Sequence, residues 1–186
     1  MKDSLRLVVV VTAVCLISAL LVSIAHEVTL EPIARAAERQ KLDAILGVQP
    51  EGASDPVSNA VQVVGMPGTD GTTVYYATDK GYAFEMLAPN GYAGSIELML
   101  GFTKDGRFWS YRVLSHTETP GLGAHVAGSF LDNVKDRAIA ETTWKTTKDG
   151  GDIVPITSAT ISSRAICDAI ARGVEVYNAI QKQEAR

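Results

Sequence analysis

Near its C-terminus the chain reads Pro155-Ile156-Thr157-Ser158-Ala159-Thr160-Ile161-Ser162-Ser163 and then continues as an amphipathic run. A hydroxyl-rich turn that opens a helix can serve either of two purposes. Its oxygens can cap the helix by accepting from free N–H groups of the first turn. Alternatively, those N–H groups and the positive end of the helix dipole can seat a phosphate. The turn by itself does not separate the two. A second segment, Gly91-Tyr92-Ala93-Gly94, precedes a strand-like run, and its glycines form a plain turn or admit a ligand to the backbone. A third, His116-Thr117-Glu118-Thr119-Pro120-Gly121-Leu122-Gly123, follows another such run. Pro120 holds Thr119 extended, and Gly121 and Gly123 free the backbone to wrap something flat. His116 and Glu118 complete neither an acid–base set nor a metal site, and no nucleophile–base–orienter set is spelled out elsewhere.

The elements that must position these segments follow from periodicity. After the hydroxyl-rich turn, Ala165, Ile166, Ala169, Ile170, Val174, Tyr177 and Ile180 recur at helical spacing, which predicts a terminal helix with one buried face. Upstream, strand-like runs at 61–64, 73–78, 82–87, 95–102 and 107–114 are separated by turn signals. Asp105-Gly106 joins the last two as a hairpin. Residues 124–135 read as a short helix. Residues 49–59, with two prolines, a glycine and two serines, read as a linker or loop. The soluble part is expected to be α+β, an antiparallel sheet with helices packed against it.

The N-terminus differs in kind. Residues 7–24 contain no charged side chain and are mostly Val, Leu, Ala and Ile. As a helix this run spans roughly 27 Å, close to a bilayer's hydrocarbon thickness. Lys2 and Arg6 precede it, whereas His26, Glu27 and Glu31 follow, so the positive-inside rule keeps the short N-terminus cytoplasmic and exports the rest. A cleaved signal peptide is the rival reading, with Ser23-Ile24-Ala25 near a cleavage site. The run's length and its helical continuation through Val28, Leu30, Ile33, Ala36, Ala37, Leu42 and Ile45 favour an uncleaved anchor. The expected organisation is a cytoplasmic N-terminus and transmembrane helix over 1–25, a helical stalk over 26–48 and a soluble domain over 49–186. Cys15 lies in the apolar run and Cys167 on the last helix, so they make no disulfide framework, and no metal-ligand spacing appears. A net charge of -4 and the lack of a basic patch argue against nucleic acid.

Together the three segments are no longer generic. They resemble the FMN-binding domain of the G-type subunit of the Rnf electron-transport complex, a domain shared with the C-type subunit of the sodium-translocating NADH:quinone reductase. The resemblance extends over essentially the whole chain, membrane helix included. In that family the threonine of a Ser/Thr-Gly-Ala-Thr motif carries FMN through a phosphoester bond made by a separate flavin transferase. The match implies that Thr160 is the modified threonine, with Ser158, Ala159, Ile161 and Ser162 beside it and Ser163 as a further hydroxyl donor. It also implies a second part of the cofactor site at Glu118, Thr119, Gly121, Leu122 and Gly123. Ser158 stands where the family usually has glycine, and Val154 where an aspartate is common, with Asp152 two residues earlier. The implied function is electron transfer within a membrane-bound, ion-translocating ferredoxin:NAD oxidoreductase. Other membrane subunits would be partners, the flavin domain would lie outside the cytoplasmic (inner) membrane, and neither catalytic residues nor a metal are expected in this chain. Ion pumping would belong to multi-span partners, since one helix without intramembrane charge forms no ion path. Two alternatives stay open: a stand-alone membrane-anchored flavoprotein reductase acting on a small extracytoplasmic acceptor, and a tethered binding module without redox chemistry.

Overall fold

Helix α1 spans Lys2–Gly47 in the computed structural model, which describes residues 2–53, 60–64 and 72–184. It is long and apolar enough to cross a membrane. Its large apolar side chains between Leu7 and Ile24 are all exposed, an expanse of bare hydrocarbon that fits a lipid surrounding. The chain divides into two compact units, Met1–Gln40 and Lys41–Arg186. The second unit thus takes in the last turns of α1, where Ala44 and Ile45 are buried.

That second unit is built on a six-stranded antiparallel sheet whose strands neighbour one another in chain order. They are β1 (Ala60–Val64), β2 (Thr72–Ala77), β3 (Gly81–Ala88), β4 (Ile96–Thr103), β5 (Arg107–His116) and β6 (Arg137–Ala138). Strand alternation sends Tyr82, Phe84 and Met86 of β3, and Leu98, Leu100 and Phe102 of β4, to one face. Helix α3 (Thr160–Glu184) covers that face with Ile166, Ala169, Ile170, Gly173, Val176, Tyr177 and Ile180. Phe102 sits at the centre: its ring stacks on Phe84 at 5.3 Å and on Tyr177 at 5.4 Å, and meets Phe108 edge-on at 5.3 Å. On the opposite face Ala83 and Met99 are buried under Ala44, Ile45 and Val48. Coverage on both sides explains why β3 and β4 are nearly continuous apolar runs instead of alternating ones. The soluble part is α+β, as the periodicity predicts.

One expectation needs correction. Residues 124–135 do not form one helix. They form a 3-10 turn (Gly123–Ala127) and a single α-turn, α2 (Leu131–Val134), separated by residues 128–130. The apolar spacing behind the helix reading is real, for Val126, Phe130 and Val134 are all buried. Two short turns suffice to bury them, and the Tyr111 hydroxyl ties the first down by donating to the Val126 carbonyl. Residues 49–53 are turn and loop, and within them Gln49 is buried and accepts a hydrogen bond from Thr78 Oγ1 at 3.1 Å. Residues 54–59 lie outside the described residues. Both cysteines are free, and burial pushes the Cys167 thiol up to about 12.

The aromatic stack around Phe102 yields a stability prediction. Phe102→Ala should lower the unfolding free energy by ~3–5 kcal/mol, the usual cost of emptying a buried aromatic site. Urea unfolding of the detergent-solubilised chain measures it, and a loss under ~1 kcal/mol would show that this stack does not hold α3 to the sheet.

Candidate functional site

The first intrahelical bond of α3 runs from Ser163 N–H to the Ala159 carbonyl at 3.1 Å. Ala159 therefore occupies the cap position, where it offers no side-chain acceptor. Thr160 is the first helical residue and not a cap. The N–H groups of Thr160, Ile161 and Ser162 accordingly have no intrahelical acceptor. Ser163, fully buried, closes the turn from within: it donates to the Ala159 carbonyl at 2.9 Å and accepts from Ile156 N–H at 2.9 Å. Its hydroxyl is consumed there, so Ser163 is not one of the groups that line the site. Ser158 has φ 64°, in the left-handed region. Glycine adopts this conformation freely, whereas a side chain costs ~1–2 kcal/mol.

Against this helix start stands Glu118, only 4% exposed. Its carboxyl accepts from Ser162 Oγ at 2.5 Å and from Ala93 N–H at 3.2 Å. Its own N–H donates to His116 Nδ1 at 3.1 Å, so His116 is spent on shaping the loop. Thr117 Oγ1 adds a bond to the Ala93 carbonyl at 3.1 Å. The close approach of the carboxyl accounts for Gly123 and adds to the constraint on Gly91, where the Gly94 carbonyl stands nearer still, 2.2 Å from a Cβ. A Cβ on Gly123 would fall 2.3 Å from Glu118 Oε2, and one on Gly91 would fall 2.6 Å from Oε1. All three sequence segments meet at this one carboxyl group.

Between them opens a cavity of about 620 Å³, inside the range of small-molecule and cofactor sites. Residues 158–162 form its floor, and Glu118, Thr119, Leu122 and Gly123 form a wall. Tyr92 (67% exposed), Leu122 (45%) and Ile161 (46%) leave apolar surface bare around it. Of the eleven residues expected at the site, nine line this cavity, and Ser163 and Gly121 do not. Gly121 has φ 73° and open space where a Cβ would stand, so it shapes the loop without touching the cavity.

Sequence reasoning missed Lys148. It lies on a 3-10 turn (Thr147–Asp149) and donates from Nζ to Thr160 Oγ1 at 3.0 Å. The turn is fastened to α3 by Asp149, which accepts from Arg164 at 2.7 Å through each carboxylate oxygen. Fully buried Thr146 donates to the same carboxylate at 2.5 Å. The Arg164 guanidinium, then the Thr146 hydroxyl, hold the Asp149 carboxyl down at about 2. A single lysine in a polar stretch has no periodic signature, and only the fold brings it to Thr160. Neither Asp152 nor Val154 lines the cavity: Asp152 accepts from Thr143 N–H at 2.7 Å, and the exposed Val154 offers its carbonyl to Asn133. Among the described residues, no group of three His, Cys, Asp or Glu could hold a metal. The donor set fits an anion that carries a flat apolar body. Orphan N–H groups, a hydroxyl and an ammonium suit its charged end, and the apolar rim suits the rest.

Comparison with known proteins agrees with that chemistry. The FMN-binding domain family matches residues 91–175, a span containing the whole cavity lining. The G-type subunit of the ion-translocating oxidoreductase complex of Aliivibrio fischeri is 31% identical over 183 residues, covering 88% of this chain and 85% of that protein. The corresponding protein of Vibrio cholerae is 33% identical with the same coverage, and that of Cereibacter sphaeroides 31% identical over 88% of this chain and 79% of its own length.

The strained backbone at the floor of the site can be tested. Ser158→Gly should stabilise the protein by up to ~1 kcal/mol, whereas Ser158→Val should cost more than ~1 kcal/mol, because only glycine takes a positive φ without a penalty. Chemical denaturation measures both. A glycine variant less stable than wild type would mean that the serine side chain is worth more than the strain.

Proposed function

The chain belongs to the family of G-type subunits of ion-translocating oxidoreductase complexes, and on that premise we propose that its soluble domain carries FMN joined to Thr160 by a phosphoester and relays electrons within such a complex. The observation that carries this reading is the uncapped start of α3. The N–H groups of residues 160–162 have no acceptor among the described residues, Ala159 supplying none where a capping side chain would take one, and the Thr160 hydroxyl stands among them at the floor of a cavity, with Lys148 beside it. A helix start left open in this way is stabilised by an anion. A phosphate held there has a covalent attachment point within reach, which prevents loss of the flavin to a large extracytoplasmic volume.

The residues divide the work by chemistry. The first turn of α3 and Lys148 hold negative charge. Tyr92, Leu122 and Ile161 offer apolar surface for the ring and exclude water from part of it. Glu118 fixes the wall by bonding to Ser162 and to the 91–94 turn, while Ser158 and Thr119 supply polar groups at the edge. When bound, FMN supplies the redox chemistry itself, and the protein sets its position, exposure and potential. An electron relay needs no acid–base set in this chain. The relatives are named as components of a complex, which favours this role over a stand-alone reductase. In our reading the chain of redox centres links ferredoxin to NAD, a separate flavin transferase attaches the cofactor, and multi-span partners carry the ion. The apolar run of α1, with Lys2 and Arg6 ahead of it, supports anchorage in the cytoplasmic membrane with the flavin domain on the outer side.

Two experiments test this. Co-expression with a flavin transferase should give a fluorescent band on a denaturing gel, and Thr160→Ala should remove it while leaving the protein folded. Persistence of the band in the variant would contradict the assignment. For sidedness, alkaline phosphatase fused after Arg186 should be active and a green fluorescent protein fusion at the same point dark. The reverse pattern would overturn the orientation.

A further inference from the structure

Resting on the reading that Thr160 carries the flavin phosphate, the geometry points to Lys148 as the residue that prepares the Thr160 hydroxyl for attachment and neutralises the phosphoester afterwards, with Asp149 and Arg164 as the clasp that positions it. Lys148 Nζ donates to Thr160 Oγ1 at 3.0 Å. An ammonium in that place takes up one lone pair of the hydroxyl oxygen and leaves its proton pointing elsewhere. It also favours negative charge on the same oxygen. In attachment, the Oγ–H bond of Thr160 gives way to an Oγ–P bond. The flavin phosphate of a flavin dinucleotide donor loses its bond to the adenylate, which departs as adenosine monophosphate. One proton is released and no electrons change hands. The product is a phosphoester monoanion at the position Lys148 already faces.

The position of Lys148 is not left to a flexible side chain alone. Its 3-10 turn also holds Asp149, the next residue, whose two oxygens take the Arg164 guanidinium at 2.7 Å each, and Arg164 lies on the second turn of α3. Thr146 anchors the other side of the turn from a fully buried position. This links the lysine's turn to the helix bearing the threonine it serves. Because Arg164 holds the Asp149 carboxyl down at about 2, the clasp stays charged throughout the neutral range. A bidentate Arg–carboxylate pair fixes orientation in a way that a single-point contact does not.

The test uses the full-length chain in detergent as acceptor for a flavin transferase supplied with flavin dinucleotide, following covalent fluorescence against acceptor concentration. Lys148→Gln should lower kcat about tenfold with KM changed less than about twofold, and Lys148→Arg should restore kcat to within about threefold, as expected for a charge-assisted bond at the reacting oxygen. Asp149→Asn should give an intermediate fall. Since Lys148 is exposed, its variants should keep the wild-type melting temperature. An unchanged kcat in Lys148→Gln overturns the proposal. So does an effect confined to KM, which would make Lys148 a docking contact for the transferase. An equal loss in Lys148→Arg would remove the role of charge, and a full rate in Asp149→Asn would remove the clasp. Thr160→Ala run alongside keeps the two readings apart. If it still accepts flavin, the attachment site is wrong; if it is inert while Lys148→Gln is unimpaired, only the lysine's role fails.

Discussion

The site depends on one buried carboxyl group. Glu118 has almost no access to water, and a carboxyl taken out of water must recover its lost hydration through hydrogen bonds. It does so with the Ser162 hydroxyl on α3 and the Ala93 N–H on the β3–β4 turn. These partners lie far apart in sequence, and satisfying them fixes the loop, the turn and the helix relative to one another. Gly123 follows from the same requirement, since a Cβ there would collide with a carboxyl oxygen, while Gly91 is required first by the Gly94 carbonyl and then by the other carboxyl oxygen. What looks like a glycine-rich loop built for flexibility is a close-packed wall. The freedom of the backbone is used to let a polar group in.

The floor of the cavity is organised the opposite way. Where the wall pairs its buried carboxyl, the start of α3 leaves donors open. A cap residue such as Ser, Thr or Asp at position 159 would close one of them and add ~1 kcal/mol of helix stability. Alanine there forgoes that gain, and Ser158 beside it sits in a backbone region that costs more. Local stability is forgone at the start of α3, and the long buried stripe from Ala165 to Ile180 compensates by holding the helix to the sheet. The Asp149–Arg164 pair adds little to stability because it is half-exposed, yet it determines which residue faces Thr160.

Legibility in the sequence followed the range of the forces involved. The strands, the hairpin at Gly106 and the terminal helix are set by local periodicity and turn chemistry, so the residue pattern reveals them. The split of residues 124–135 into two turns was not legible, because Val126, Phe130 and Val134 keep helical spacing whether or not the backbone between them is helical. β6 was missed because a two-residue strand has no period at all. The cavity floor and wall were legible as motifs, but the distinction between Gly121 and Gly123 was not. Only the packing of Glu118 tells a glycine that shapes a turn from one that makes room for a carboxyl. Lys148 reaches Thr160 through a tertiary clasp, and no feature of its local sequence announces that contact.

The central claim is that the open start of α3 receives a flavin phosphate on Thr160. Cleavage after Lys148 and Arg164 would release one peptide, residues 149–164, that contains every hydroxyl on the cavity floor. Tandem mass spectrometry of that peptide, from wild-type protein matured with a flavin transferase, locates the modification directly. The account predicts the mass of a riboflavin phosphoryl group on fragments that include Thr160 and on none that end before it. The same mass on Thr157, Ser158 or Ser162, or an unmodified peptide from protein that has been fully exposed to the transferase, would contradict it.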